Sequence, residues 1–174
     1  MCAGVLGDKV FFAGSGGMGS DAVDCFDNTN GAWTNHTMLK RIADPYCRVV
    51  GDKAYFIGTS GLYPDSLRNH LLEFYDNISG SWGTDTVPFA IPIEYSEIDV
   101  QVHGQELVFL NQSFNPQVWP SYIFRLNTQT HTWTSIQLPD SLAANRLGIS
   151  GDSAVWVTPS AASVQYLKIG RAHV

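Results

Sequence analysis

The stretch FDNTNGAW, Phe26 to Trp33, decides how this chain folds, because the chain writes it three times. It returns as YDNISGSW, Tyr75 to Trp82, and again as LNTQTHTW, Leu126 to Trp133. Each copy passes from a large apolar residue through Asp or Asn and a few small polar residues to a tryptophan. Asp and Asn side chains accept hydrogen bonds from nearby backbone amides, and glycine takes the positive φ that closes a tight turn. Each copy therefore predicts a hairpin, with a strand ending at its first residues and the next strand starting at its tryptophan.

A second set of columns recurs in the same order. Gly7-Asp-Lys-Val-Phe-Phe-Ala13 is matched by Gly51-Asp-Lys-Ala-Tyr-Phe-Ile57, Gly104-Gln-Glu-Leu-Val-Phe-Leu110 and Gly151-Asp-Ser-Ala-Val-Trp-Val157. The leading dipeptide predicts a two-residue turn, and the four apolar residues after it predict a strand buried on both faces. Upstream of each glycine lies another short strand, at Tyr46–Val50, Ile98–Val102 and Leu147–Ser150. A third follows the variable loop, at Val23–Asp27, Leu71–Asp76 and Tyr122–Leu126. Four antiparallel strands in about fifty residues cannot bury both faces alone, so successive sheets must stack as the blades of a propeller.

The unit resembles the kelch repeat, in which a strand ending in two glycines is followed by a tyrosine and, one turn later, a tryptophan. Tyr75-Asp76 with Trp82 and Phe26-Asp27 with Trp33 carry the resemblance, which spans residues 3 to about 168. The glycine pair is eroded to Gly14-Ser15, Gly58-Thr59, Asn111-Gln112 and Thr158-Pro159. The expected fold is all-β, a partial kelch propeller with three four-stranded antiparallel blades and an incomplete fourth, the ring not closed. The blades are expected at about 1–37, 45–86, 96–137 and 146–168. Propellers use about 4 to 8 blades, so further sequence is expected beyond Leu167. Ile169-Gly-Arg-Ala-His-Val174 resembles a sequencing adapter translated to its stop codon and is set aside. The repeat aromatics Phe26, Trp33, Tyr75, Trp82, Trp133 and Trp156, with Leu126, are expected to build the core between blades.

Composition removes several function classes. Apolar residues make up 44% and charged residues 15%, enough for a core and too apolar for disorder. The net charge of −6 comes without a basic stripe, against nucleic acid and anionic membranes as partners. No apolar run reaches the roughly 20 residues of a membrane-spanning helix. Three cysteines, Cys2, Cys25 and Cys47, have no metal-ligand spacing and read as buried thiols. Asn35, Asn77 and Asn111 begin glycosylation sequons, a slight pointer to secretion in a chain whose compartment the sequence leaves open.

Gly14-Ser-Gly-Gly-Met-Gly19 fits a dinucleotide fingerprint in letters alone. That fingerprint needs a helix to follow, whereas Ser20-Asp-Ala-Val-Asp-Cys-Phe-Asp27 reads as a strand. His36, His70, His103, His131 and His173 form no metal-binding pair. Asp21, Asp24 and Asp27 lack the alternation of a calcium loop. No nucleophile motif is present, so no catalytic residue and no cofactor are expected. The kelch superfamily includes galactose oxidase and similar copper enzymes. A part of a secreted galactose-oxidase-like or carbohydrate-binding propeller is therefore the alternative reading.

The leading reading is a protein-binding module. The turns joining strands one to two and three to four are short and share one edge of the blades. The opposite edge receives long segments at 14–22, 58–69 and 111–121, and between blades at 34–45, 83–96 and 134–145. Variable loops on a rigid scaffold are where recognition residues collect. Among them Tyr63, Arg68, Phe114 and Trp119 are of types suited to anchoring a protein partner; the rival reading of Phe114 and Trp119 is that they fold back on their own blade. The remaining blades of a parent propeller are the other expected partners.

Overall fold

A computed structural model of the chain describes residues 1–14, 19–59, 68–91, 96–113, 122–138, 146–150, 153–158 and 163–168. The chain divides into two compact units, Met1–Ile91 and Pro92–Val174. Every regular element among the described residues is a β-strand.

The first unit holds β1 (Cys2–Leu6), β2 (Lys9–Ala13), β3 (Ser20–Asp27), β4 (Ala32–Val50), β5 (Lys53–Thr59), β6 (Arg68–Asp76) and β7 (Ser81–Ile91). They pair antiparallel in sequence order. β4 serves two sheets: its first half pairs with β3 from Ala32 to Ile42, and its second half pairs with β5 from Ala43 to Val50. The first sheet is therefore β1 to β4, and the second is the end of β4 followed by β5, β6 and β7. The stretch 34–45, expected as a loop between blades, is instead continuous strand. Met38 and Ile42 supply the reason, since both side chains are buried in the core that the two sheets share.

The second unit contains β8 (Ser96–His103), β9 (Glu106–Ser113), β10 (Tyr122–Asn127) and β11 (Thr132–Gln137), a four-stranded antiparallel sheet in the order β11-β10-β9-β8. β12 (Arg146–Ser150), β13 (Ser153–Thr158) and β14 (Ser163–Lys168) form a three-stranded sheet, with β12 beside β8. Among the described residues the two units thus hold three four-stranded sheets and one three-stranded sheet.

The core of the first unit lies between its two sheets. Leu6, Phe11, Ala13, Val23 and Cys25 of the first sheet meet Cys47, Ala54 and Phe56 of the second, with Tyr75 and Trp82 packed alongside. Phe11 anchors this seam, its ring 5.7 Å from Phe56, 5.3 Å from Tyr75 and 6.3 Å from Trp82. Such mixed edge and tilted contacts suit the charge distribution of aromatic rings.

The apolar strand after the Gly-Asp or Gly-Gln turn is buried on both faces in the second and third sheets. Ala54, Tyr55, Phe56 and Ile57 are buried, as are Leu107, Val108, Phe109 and Leu110. In the first sheet only Phe11 and Ala13 are; Val10 and Phe12 on the other face are half-buried. The same face leaves Trp33 62% and Val5 63% exposed. The expectation that Trp33 sits in the core is therefore corrected. Its indole lies on Phe26 and Phe12, at 5.1 and 5.9 Å.

Candidate functional site

The two families of short turns are built alike and tied together. Gly7, Gly51 and Gly104 open the two-residue turns of β1–β2, β4–β5 and β8–β9 with φ of 58°, 55° and 57°. Glycine with positive φ at the first central position is the type II′ hairpin turn. In the second family one side-chain oxygen organises each turn. Asp27 Oδ1 accepts the Thr29 amide at 2.9 Å and Asp76 Oδ1 the Ile78 amide at 2.9 Å. Asn127 Oδ1 accepts the Gln129 amide at 3.0 Å.

The two families meet through one repeated bond. The amides of Asn28, Asn77 and Thr128 donate to the carbonyls of Asp8, Asp52 and Gln105, at 2.8, 2.8 and 3.0 Å. At one edge of each four-stranded sheet the two turns are thus joined by a backbone hydrogen bond. In the first sheet Lys9 adds an ion pair to Asp27 at 3.2 Å. The Thr29 hydroxyl and amide, and then Lys9, hold the Asp27 carboxyl below its usual range, while the bond to Asp27 raises the Lys9 amine.

At the opposite edge β2, β5 and β9 end and β3, β6 and β10 begin. Tyr63, Phe114 and Trp119 lie outside the described residues. Arg68 opens β6 at that edge, its backbone paired with Ile91. Gly19 leads into β3, a strand where a dinucleotide site would place a helix.

Two buried carboxylates escaped the sequence reading. Glu73 of β6, 4% exposed, faces the first sheet. Its Oε1 lies 3.2 Å from His36 Nε2 and its Oε2 accepts the Leu39 amide at 2.9 Å, both from β4. The His36 ring stacks flat on Trp82, 3.7 Å between centroids with 4° between planes. One carboxylate and one indole of the second sheet thus grip the outer strand of the first. In the third sheet Glu106 Oε2 accepts both Nε, at 2.9 Å, and Nη2 of Arg125, with His103 Nδ1 at 3.8 Å. The available sequence signal was a carboxylate inside an otherwise apolar strand, as in Leu71-Leu72-Glu73-Phe74.

No protein-family model matches the chain, and no curated protein matches it by sequence. Solved structures do. The chain is similar to YjhT at 12% identity and a TM-score of 0.61, over 95% of this chain and 64% of that one. It is similar to the computationally designed Ika4 protein at 9% identity and 0.62, over 97% of this chain and 90% of that one. It is also similar to Kuenenia stuttgartiensis hydrazine synthase at 16% identity and 0.57, over 94% of this chain and 50% of that one. YjhT and hydrazine synthase are β-propellers. The chain is an all-β partial propeller. It spans less than two thirds of the YjhT and hydrazine synthase chains.

Proposed function

We propose that this chain is part of a kelch-type propeller whose role is to bind another protein through the edge opposite its short turns. The observation that supports this is the bond from Asn28, Asn77 and Thr128 to Asp8, Asp52 and Gln105. It ties the turns of one edge together in the same way in each four-stranded sheet, whereas the sequence varies in length and composition at the other. Tyr63, Arg68, Phe114 and Trp119 are the proposed contacts, as large aromatic and guanidinium groups that anchor interfaces. The further blades of a longer protein are proposed as the neighbours of the first and last sheets.

The test replaces these four residues together with alanine and compares capture of partner proteins with the unaltered chain. A second variant alters the short-turn edge at Thr29, Ile78 and Gln129, all exposed. Capture lost in the first variant and kept in the second is expected. The opposite pattern, with both variants folded, overturns the reading. The rival is an enzymatic or carbohydrate-binding propeller, favoured only by the sharing of this fold with an enzyme chain. Copper analysis and glycan binding of the longer protein distinguish it.

A further inference from the structure

We propose that Cys2 and Cys47 are a dithiol pair that peroxide converts to a disulfide, clasping the first sheet to the second. The two cysteines belong to different sheets, Cys2 to β1 and Cys47 to the part of β4 that pairs with β5. Cys47 is buried in the shared core, and Cys2 packs against that core while staying half-exposed.

Gly4 brings the sulfurs together. It lies two residues beyond Cys2, so both point to the same face of β1. A Cβ at Gly4 would overlap Cys47 Sγ. The missing side chain therefore lets the Cys47 thiol lie directly on β1, on the core-facing side that Cys2 shares. The neighbouring Cys47 thiol favours the Cys2 thiolate, while the Cys2 sulfur and then burial keep Cys47 protonated. The Cys2 thiol is accordingly lowered and the Cys47 thiol raised. An accessible thiolate beside a buried thiol is the arrangement of an attacking and a resolving cysteine. Cys25 lacks it: burial raises its thiol.

The chemistry balances with hydrogen peroxide as the oxidant. The Cys2 thiolate attacks one peroxide oxygen and the O–O bond breaks. The departing hydroxide takes up the proton Cys2 released and leaves as water, giving Cys2 sulfenic acid. Cys47 sulfur then attacks the Cys2 sulfur. The S–S bond forms, the S–O bond breaks, and the hydroxyl leaves as water with the Cys47 proton. Two thiols are oxidised by two electrons and one peroxide is reduced to two waters.

The experiment treats the full chain, in dilute solution, with hydrogen peroxide and maps its tryptic peptides without reduction. Cys2, Cys47 and Cys25 fall in the separate peptides 1–9, 42–48 and 10–40. The expected result is a linked 1–9/42–48 pair within one chain, with Cys25 still free. It should form equally in Cys25→Ser and disappear in Cys2→Ser. The oxidised chain should gain about 10 °C in Tm, reversed by dithiothreitol, as a cross-link closing a loop of this length constrains the unfolded chain. Three titratable thiols after peroxide overturn the proposal. So does linkage through 10–40, or a covalent dimer as the main product.

Discussion

Among the residues of the repeat, His131 occupies a position that glycine holds elsewhere. Gly31 and Gly80 close their turns with φ of 70° and 64°, and His131 closes the third with φ of 55°. It is the one non-glycine residue with positive φ among those described. A side chain in this region meets its own backbone, at a cost of about 1 kcal/mol or somewhat more. His131→Gly is therefore expected to stabilise the chain by about 0.5–1 kcal/mol in urea denaturation, after glycine's greater unfolded-state freedom is subtracted. Much at this scale was legible in the sequence. The Asp and Asn turns and the glycine positions follow from local backbone preferences, which act within a few residues. The Cys2–Cys47 contact was not legible, because it depends on which strands lie face to face.

At the scale of elements, the seam between the first two sheets combines apolar packing with one buried carboxylate. Glu73 joins His36 and the Leu39 amide, and both lie on the strand that passes from one sheet to the next. Removing the carboxylate leaves that amide without its acceptor beside a seam where the Glu73 side chain itself is buried. Glu73→Ala is expected to cost about 2–3 kcal/mol in chemical denaturation, whereas Glu73→Gln, which keeps an oxygen for the amide, should cost about 1 kcal/mol or less. Equal losses for both would show that charge, rather than hydrogen bonding, holds the seam. The strands themselves were legible from their apolar runs and flanking turns. The extension of β4 across 34–45 was not. Its alternation of buried and exposed positions becomes meaningful only with a second sheet present to bury Met38 and Ile42.

For the whole molecule, the repeat relates an open face to a covered one. Val5, Phe12, Phe26 and Trp33 correspond to Val49, Phe56, Tyr75 and Trp82, which pack against the first sheet. The outer face of the first sheet thus repeats, with Val5 and Trp33 exposed, the residues of an interface the first unit already contains. Exposed apolar patches of this kind drive association. In the isolated chain a second copy is expected to cover it, self-association appearing in sedimentation velocity as concentration rises. Val5→Lys with Trp33→Lys should raise the concentration needed by about tenfold or more, since two charges must then be desolvated at the contact. A monomer at all concentrations, or association indifferent to both lysines, would refute this.

The sequence by itself determined the repeat, the turn chemistry, the strand order and the antiparallel sheets. Each of these follows from short-range backbone geometry and from the alternation of apolar residues along a strand. Only the tertiary structure decided that Trp33 is exposed while Trp82, its counterpart, is gripped by His36. It also revealed that Glu73 reaches into the neighbouring sheet and that Cys47 rests on Gly4. Identical motifs meet different neighbours, and burial is a property of the pair of sheets rather than of either sequence. FDNTNGAW and YDNISGSW make the same hairpin, but the second packs its tryptophan against a neighbouring sheet while the first leaves its own exposed.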